Sequence, residues 1–215
     1  MVIHKVQQKT QEWLDLKKEY PFSASKAQAI ATGDKGLETL IDEAIITHYS
    51  VGEKEKFTSS HLDRGNELEE QARSLYSLQE GVVVEEVGFV TDENYPFAGV
   101  SPDGLIDIEH NKNLDEDGLL EIKCLADNVY IKKLYEYAEK GHFKIDTSHE
   151  WQMQMQMLFT RRNWCDYVIY NPNFKKRLLR VRCYRDEVKQ QKLITGLKMA
   201  ERMYLEKRLL MDKLN

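Results

Sequence analysis

The sequence predicts an α+β fold, a small central sheet with helices packed on it. Three observations predict it. The first third of the 215 residues spaces its apolar side chains three and four apart, as helices do. The middle turns to Val-rich and alternating segments that read as strands. The remainder holds two more helical stretches, a strand pair and a long final helix.

Residues 11–19 read as a first helix. Ser23 or Ser25 caps a second, which stops at Gly33. In residues 37–49 the apolar positions Leu37, Leu40, Ile41, Ala44 and Ile45 share one face. Residues 51–60 are polar and read as a loop. Residues 63–78 form a further helix, with Leu68, Ala72 and Leu75 along one stripe. Residues 81–90, 99–109 and 118–124 read as strands, the last two as a hairpin over the polar turn 110–117. Residues 128–140 return to helix. Thr147-Ser148-His149-Glu150 has capping-box spacing ahead of a helix that runs to about Phe159. Residues 164–170 and 178–184 are strands joined by the Asn171-Pro172-Asn173 turn, and Asp186 caps the final helix.

Composition bounds the function. Hydrophobic residues make up 41% and charged residues 31%, as in a globular protein, and the length suits one domain over 1–215. No run approaches the roughly 20 apolar residues of a membrane helix, and the first residues lack the apolar core of a signal peptide. Cys124, Cys165 and Cys183 are odd in number and lack CxxC spacing, against a disulfide framework or zinc ribbon and in favour of a reducing, intracellular setting. The net charge of −5 alone speaks against a nucleic-acid partner, but it hides an asymmetry. Residues 1–160 hold 16 Lys/Arg and 30 Asp/Glu, a net of −14; residues 161–215 hold 15 and 6, a net of +9.

Chemistry concentrates in Ser101-Pro102-Asp103-Gly104-Leu105 and Glu121-Ile122-Lys123. Side chains alternate across a strand, so Glu121 and Lys123 share a face and Ile122 points into the core. A hairpin symmetric about Lys112 sets Asp103 opposite Glu121. Facing carboxylates repel unless a cation or a proton joins them. Oxygen ligands with open positions suit Mg²⁺ or Mn²⁺, and a Lys beside them can hold a water or steady a phosphate. Together these make a phosphodiester hydrolysis centre. The spacing also arises by chance on solvated strands, but Leu119, Leu120, Ile122 and Cys124 are too apolar for a plain surface hairpin. Glu69 borders the apolar stripe of its helix, where by itself a solvated Glu is the commoner role. Gln154 lies within the stripe of Trp151, Met155 and Leu158, and a buried amide needs partners, in the site or on backbone.

Arg64-Gly65-Asn66-Glu67-Leu68-Glu69-Glu70-Gln71-Ala72, Ser101-Pro102-Asp103-Gly104-Leu105, Glu121-Ile122-Lys123-Cys124 and Gln152-Met153-Gln154 follow in that order. With these motifs the chain resembles, over residues 13–185, the lambda exonuclease (YqaJ-type viral recombinase) family of the PD-(D/E)XK nuclease superfamily. The resemblance implies that superfamily's central mixed β-sheet flanked by helices. It implies a 5′→3′ exonuclease that degrades one strand of duplex DNA from an end, with two Mg²⁺ ions (Mn²⁺ as substitute). Asp103, Glu121 and the Ile122 carbonyl match the metal ligands, and Glu69 matches the carboxylate near the second metal. Lys123 matches the water-positioning residue, and Gln154 the Gln that supports it. Ser25 and Ser101 match binders of the 5′-terminal phosphate. Lys17 falls where such enzymes carry Arg, without that residue's bidentate fork, and Lys18 is its rival because the segment is one residue longer.

The resemblance further implies a ring-shaped homotrimer, a single-strand annealing protein as partner, and the cytoplasm of a bacterial host. The basic residues Arg161, Arg162, Lys175, Lys176 and Arg177 read as contacts to the DNA backbone. The alternatives are another PD-(D/E)XK endonuclease and an inactive DNA-binding scaffold. An iron–sulfur relative needs four cysteines, and the chain has three.

Overall fold

The computed structural model describes residues 1–51 and 60–214, and the side chains among them except those of residues 60–66. The expected polar loop falls on 52–59, outside the described residues.

The chain opens with β1 (Val2–His4) and α1 (Gln11–Glu19), whose N-cap Thr10 accepts from the Trp13 N–H. β2 (Phe22–Ser23) leads through a 3-10 turn at Ala24–Lys26 into α2 (Ala27–Thr32). Gly33, at φ +65°, ends α2 in the left-handed conformation that glycine adopts without steric cost. The Asp34 side chain then accepts from the Gly36 N–H to start α3 (Lys35–Tyr49). Next come α4 (Ser60–Glu80), β3 (Phe89–Thr91), β4 (Ala98–Val100), β5 (Gly104–Ile106) and β6 (Gly118–Cys124). α5 (Asp127–Lys140) and α6 (Thr147–Thr160) cross over to β7 (Trp164–Tyr170), which turns back as β8 (Leu178–Tyr184). Asp186 caps the long α7 (Glu187–Met211) through the Lys189 N–H. Among the described residues no helix is long and apolar enough to cross a membrane.

Among the described residues the strands form two four-stranded sheets. One has the order β1-β3-β4-β2, with β2 and β4 parallel. The other is the mixed sheet β5-β6-β7-β8: antiparallel, parallel, antiparallel. The parallel β6–β7 pair follows from the helical crossover, since parallel strands need a long connection. Its two faces are both buried. Leu119, Ile169 and Leu179 pack toward Met153, Met157 and Leu193, while Leu120, Ile122 and Val168 pack with Ala72 and Tyr76 of α4. A Cβ on Gly196 would fall 2.0 Å from the Ile30 carbonyl oxygen, so glycine is what lets α7 lie directly on α2.

Several expectations change. Residues 81–90 are a strand only at their end. Asn111 takes the backbone N–H and carbonyl of Val83 at 2.6 and 2.9 Å, and Glu85 bridges singly to Leu105, so no continuous ladder forms. The stretch 99–109 divides between the two sheets at Pro102. The capping box does not form: Asp146 is the N-cap of α6, without a side-chain bond, and Glu150 is drawn to Lys189 of α7.

Arg162, read as a DNA-backbone contact, is buried. It donates to the carbonyls of Ile106 and Gly118 at 3.1 and 2.7 Å and pairs with Asp107, so it clamps both strands of the β5–β6 hairpin. Arg162→Met leaves two carbonyls and a carboxylate without their partner. Urea unfolding should show a loss of about 2–4 kcal/mol; a change within error would mean that the clamp carries no stability.

Candidate active site

The site grows from the hairpin. Gly104 pairs with Leu120, Leu105 with Leu119 and Ile106 with Gly118, so the next step sets Asp103 across from Glu121. β5 ends there, and Asp103 takes over its edge of β6. Its N–H donates to the Leu120 carbonyl at 3.1 Å, and its Oδ2 accepts from the Ile122 N–H at 2.7 Å. A residue's N–H and carbonyl point to the same edge of a strand, so the Ile122 carbonyl also faces this corner.

Glu121 is 1% exposed, and both its oxygens are engaged. Oε1 accepts from Lys123 Nζ at 2.5 Å and from Gln152 Nε2 at 2.6 Å, and Oε2 accepts from Gln156 Nε2 at 2.7 Å. Lys123 also lies 3.5 Å from Gln152 Oε1. Glu69 of α4 completes the cluster. Its Oε2 accepts from Lys9 at 2.8 Å and its Oε1 from Arg73 at 3.1 Å, while Arg73 Nε donates to the Asp103 carbonyl at 3.0 Å.

The electrostatics record the crowding. Burial raises the Asp103 pKa well above the ordinary Asp value, and the charges of Glu121 and Glu69 raise it further. Burial alone would depress Lys123, but Glu121 and Asp103 outweigh it and hold it as an ammonium. The Cys124 thiol is pushed up to about 11, first by burial and then by Glu69 and Asp103.

Among the described residues no three His, Cys, Asp or Glu side chains form a ready cage for a metal. A cation here would sit between Asp103 and Glu121, with the Ile122 carbonyl as a third oxygen. That donor set suits a hard divalent ion, which would also offset the Glu121 and Glu69 charges that add to the effect of burial on Asp103.

Other expected residues are placed elsewhere. Gln154 does not reach Lys123. Its Nε2 donates to the Tyr184 carbonyl at 2.8 Å, and its Oε1 accepts from the Asp186 N–H at 3.0 Å and from Gln190 at 2.9 Å. It is a joint between α6, β8 and α7. Gln152, the other amide of that motif, and Gln156, just beyond it, hold Glu121 instead. Residues four apart share a helix face, and that spacing was the available signal.

Lys17 lies with Nζ 4.1 Å from the Trp13 ring centroid, while Lys18 turns outward to Asp15 at 2.6 Å. Trp13 Nε1 donates to Ser101 Oγ at 3.0 Å, so Lys17, Trp13 and Ser101 form one local group. β2 and β4 are parallel, so Ser25, just past β2, leaves the sheet at the same end as Ser101, just past β4. Ser25 is exposed, with its Oγ 3.1 Å from Ser23 Oγ. Arg161 is 68% exposed, at 3.5 Å from Asp92. Lys175, Lys176 and Arg177 are exposed in the β7–β8 turn, which lies at the end of the mixed sheet where Lys123 and Cys124 leave β6.

The raised Asp103 pKa carries a sign. An acid whose folded pKa lies above its unfolded one makes stability fall as pH rises through that interval, and lowering the pH restores it. In metal-free buffer near neutral pH, Asp103→Asn should therefore melt a few degrees above the parent. The gap should close as the pH approaches the 3.8 of an ordinary Asp. Identical melting at neutral pH would sink this account of the site.

A family model described as the YqaJ-like viral recombinase domain matches residues 12–163. The alkaline exonuclease of Laribacter hongkongensis is 27% identical, with a TM-score of 0.73 over 96% of this chain and 100% of that one. Its structure in complex with dAMP gives the same figures. A phage-related exonuclease from Haemophilus somnus shares the fold at 16% identity and a TM-score of 0.61, over 90% of this chain and 96% of that one. No curated protein sequence is similar enough to count as a relative. With the family model covering well over half of its length, the chain belongs to the YqaJ-like viral recombinase domain family.

Proposed function

We propose that the protein is a divalent-metal-dependent exodeoxyribonuclease that degrades one strand of duplex DNA 5′→3′ from an end. The product would be 3′ single-stranded overhangs for recombination by strand annealing. The observation that carries this reading is Asp103 facing Glu121 at the end of β5–β6, with Lys123 bonded to Glu121 on the same face. Family membership and the likeness to an alkaline exonuclease point to the same chemistry.

Asp103, Glu121 and the Ile122 carbonyl would hold Mg²⁺ or Mn²⁺, with Glu69 beside a second ion. Bound there, such ions supply Lewis-acid stabilisation of the attacking and leaving oxygens. The chain's own residues do the rest. Gln152 and Gln156 hold the Glu121 carboxylate in one orientation. Lys123, steadied by Glu121 and Gln152, directs its remaining N–H bonds at a water or a phosphate oxygen. Such catalysis is positioning and charge stabilisation.

Lys17 and Ser101, linked through Trp13, and Ser25 at the same end of the sheet would take the 5′-terminal phosphate. Ser101 precedes Asp103 by two residues, which span at most about 7 Å of extended chain. That is the scale of one nucleotide, and it fits release of mononucleotides; the Laribacter enzyme's complex holds dAMP. Lys175, Lys176 and Arg177 would follow the backbone at the sheet end. From the family we also carry a homotrimeric ring, a single-strand annealing partner and the cytoplasm of a bacterial host.

One assay tests the core of this. With Mg²⁺, linear duplex carrying 5′-phosphates should be degraded, while closed circles stay intact. Asp103→Ala and Glu121→Ala should each lose at least about a thousandfold in rate, and Lys17→Ala should lose the preference for phosphate over hydroxyl ends. Cutting of closed circles would show an endonuclease instead, and near-normal rates in either carboxylate variant would remove the site assignment.

Backbone contact has its own readout. Changing Lys175, Lys176 and Arg177 together to Ala should flatten the dependence of log affinity on log salt by about 2–3. An unchanged slope would place the DNA elsewhere.

A further inference from the structure

Lys9 stands at the rim of the carboxylate cluster in an unusual conformation. Its φ is +68°, a left-handed value that Arg161 alone shares among the described non-glycine residues. A residue with a Cβ keeps such a φ only when its surroundings hold it there. Here they do. Gln8 Nε2 donates to the carbonyls of Val87 and Pro102 at 2.7 and 2.9 Å, which pins the turn against the residue before Asp103. Thr10, on the other side, caps α1. The turn thus sets the Lys9 ammonium 2.8 Å from Glu69 Oε2.

Both Glu69 oxygens are therefore occupied by cations, but unequally. Arg73 is 13% exposed and fixed by three acceptors: Glu69, Glu86 and the Asp103 carbonyl. Lys9 is 33% exposed, and Glu69 is its partner. Of the two, Lys9 is the one free to yield. We infer that Lys9 is a built-in counter-ion for Glu69, which a divalent cation must displace before Glu69 can help to hold it.

This rests on the reading of Asp103 and Glu121 as metal ligands and deepens it. The position between those two carboxylates would fill first. The position at Glu69 would fill only at higher metal concentration, with Lys9 as its competitor. Because the turn stays pinned by Gln8, the displaced ammonium remains at the rim of the cluster.

The test is Mn²⁺ binding to the intact protein without DNA, followed by the loss of the free-ion electron paramagnetic resonance signal. Lys9→Met keeps the unbranched stem and the same φ demand, and removes the ammonium that bonds Glu69. It should tighten the weaker Mn²⁺ site about three- to fivefold. Lys9→Arg should bind as the parent does. In a Glu69→Gln background, Lys9→Met should have no effect. Unchanged or weaker Mn²⁺ binding in Lys9→Met overturns the inference, as does equal tightening by Lys9→Arg. The underlying reading fails separately: if the parent and Asp103→Ala take up Mn²⁺ identically, Asp103 is not a ligand and the competition has no basis.

Discussion

Asp103 and Glu121 face each other across the end of the β5–β6 hairpin, where burial and like charge both oppose the ionised state of Asp103. Much of the surrounding architecture makes that opposition tolerable. Lys123 follows Glu121 by two residues, the period that returns a strand side chain to the same face. α6 lies over that face and offers two amides, Gln152 and Gln156, to the two carboxylate oxygens. On the other face Arg73 of α4 ties Glu69 to the Asp103 carbonyl. The register itself is critical, since a slip of one residue would turn Glu121 toward α4 and Ile122 toward α6. Arg162 guards against that slip by donating to a carbonyl on each strand.

The charge asymmetry along the chain takes on a different meaning in three dimensions. The basic C-terminal quarter is not a uniform surface. Asp166 is fully buried, and it accepts from Tyr76 at 2.7 Å, from Arg182 at 2.8 and 2.9 Å, and from Arg180 at 3.3 Å. A lone buried carboxylate would be costly, so these arginines complete the fold before they can serve any ligand. Arg162 is likewise internal, and Arg185 pairs with Glu187. Among the exposed basic residues of this quarter, Lys175, Lys176 and Arg177 in the β7–β8 turn lie at the sheet end where Lys123 leaves β6. Net charge by segment therefore overstates the basic surface, while the position of the turn relative to the site supports a backbone-contacting role.

Which features could be read from the sequence follows from how local their causes are. α1, α3 and α7 carry their own periodicity and caps, and β6, β7 and β8 are apolar runs bounded by turns. The facing of Asp103 and Glu121 needed only strand alternation and a symmetric hairpin. β1 and β2 are three and two residues long, and their partners lie far along the chain, so nothing local marks them. α6 misled for another reason. Gln152-Met153-Gln154-Met155-Gln156-Met157 alternates with period two inside an element of period 3.6, and all but Gln152 are buried. Burial on nearly every side removes the contrast from which a face is read, so only their spacing of four sets the two amides on Glu121 apart from the one that joins α6 to α7. Arg162 and Arg177 differ in the same way: both are basic residues beside a turn, and only the tertiary structure separates clamp from surface.

The N-terminal segment shows why the phosphate pocket and the carboxylates have to be considered together. Two neighbouring carbonyls, Val87 and Gly88, take bonds from this segment and from the strand exit at Ser101. Val87 accepts from Gln8, and Gly88 accepts from Trp13 Nε1 at 3.2 Å and from Ser101 Oγ at 2.9 Å. Gln8 also holds the Pro102 carbonyl, so the turn that carries Lys9, the helix that carries Lys17 and the strand exit Ser101-Pro102-Asp103 are fastened to one short stretch of backbone. A force that moved α1, such as a phosphate drawing Lys17 away from the Trp13 ring, would act on the same bonds that set Lys9 against Glu69 and Pro102 beside Asp103. In the proposed function, end recognition and the electrostatic state of the cleavage site are then not independent. A terminal phosphate taken up as proposed would pull on the turn that holds Lys9 against Glu69, because Gln8 and Trp13 fasten both to the same backbone.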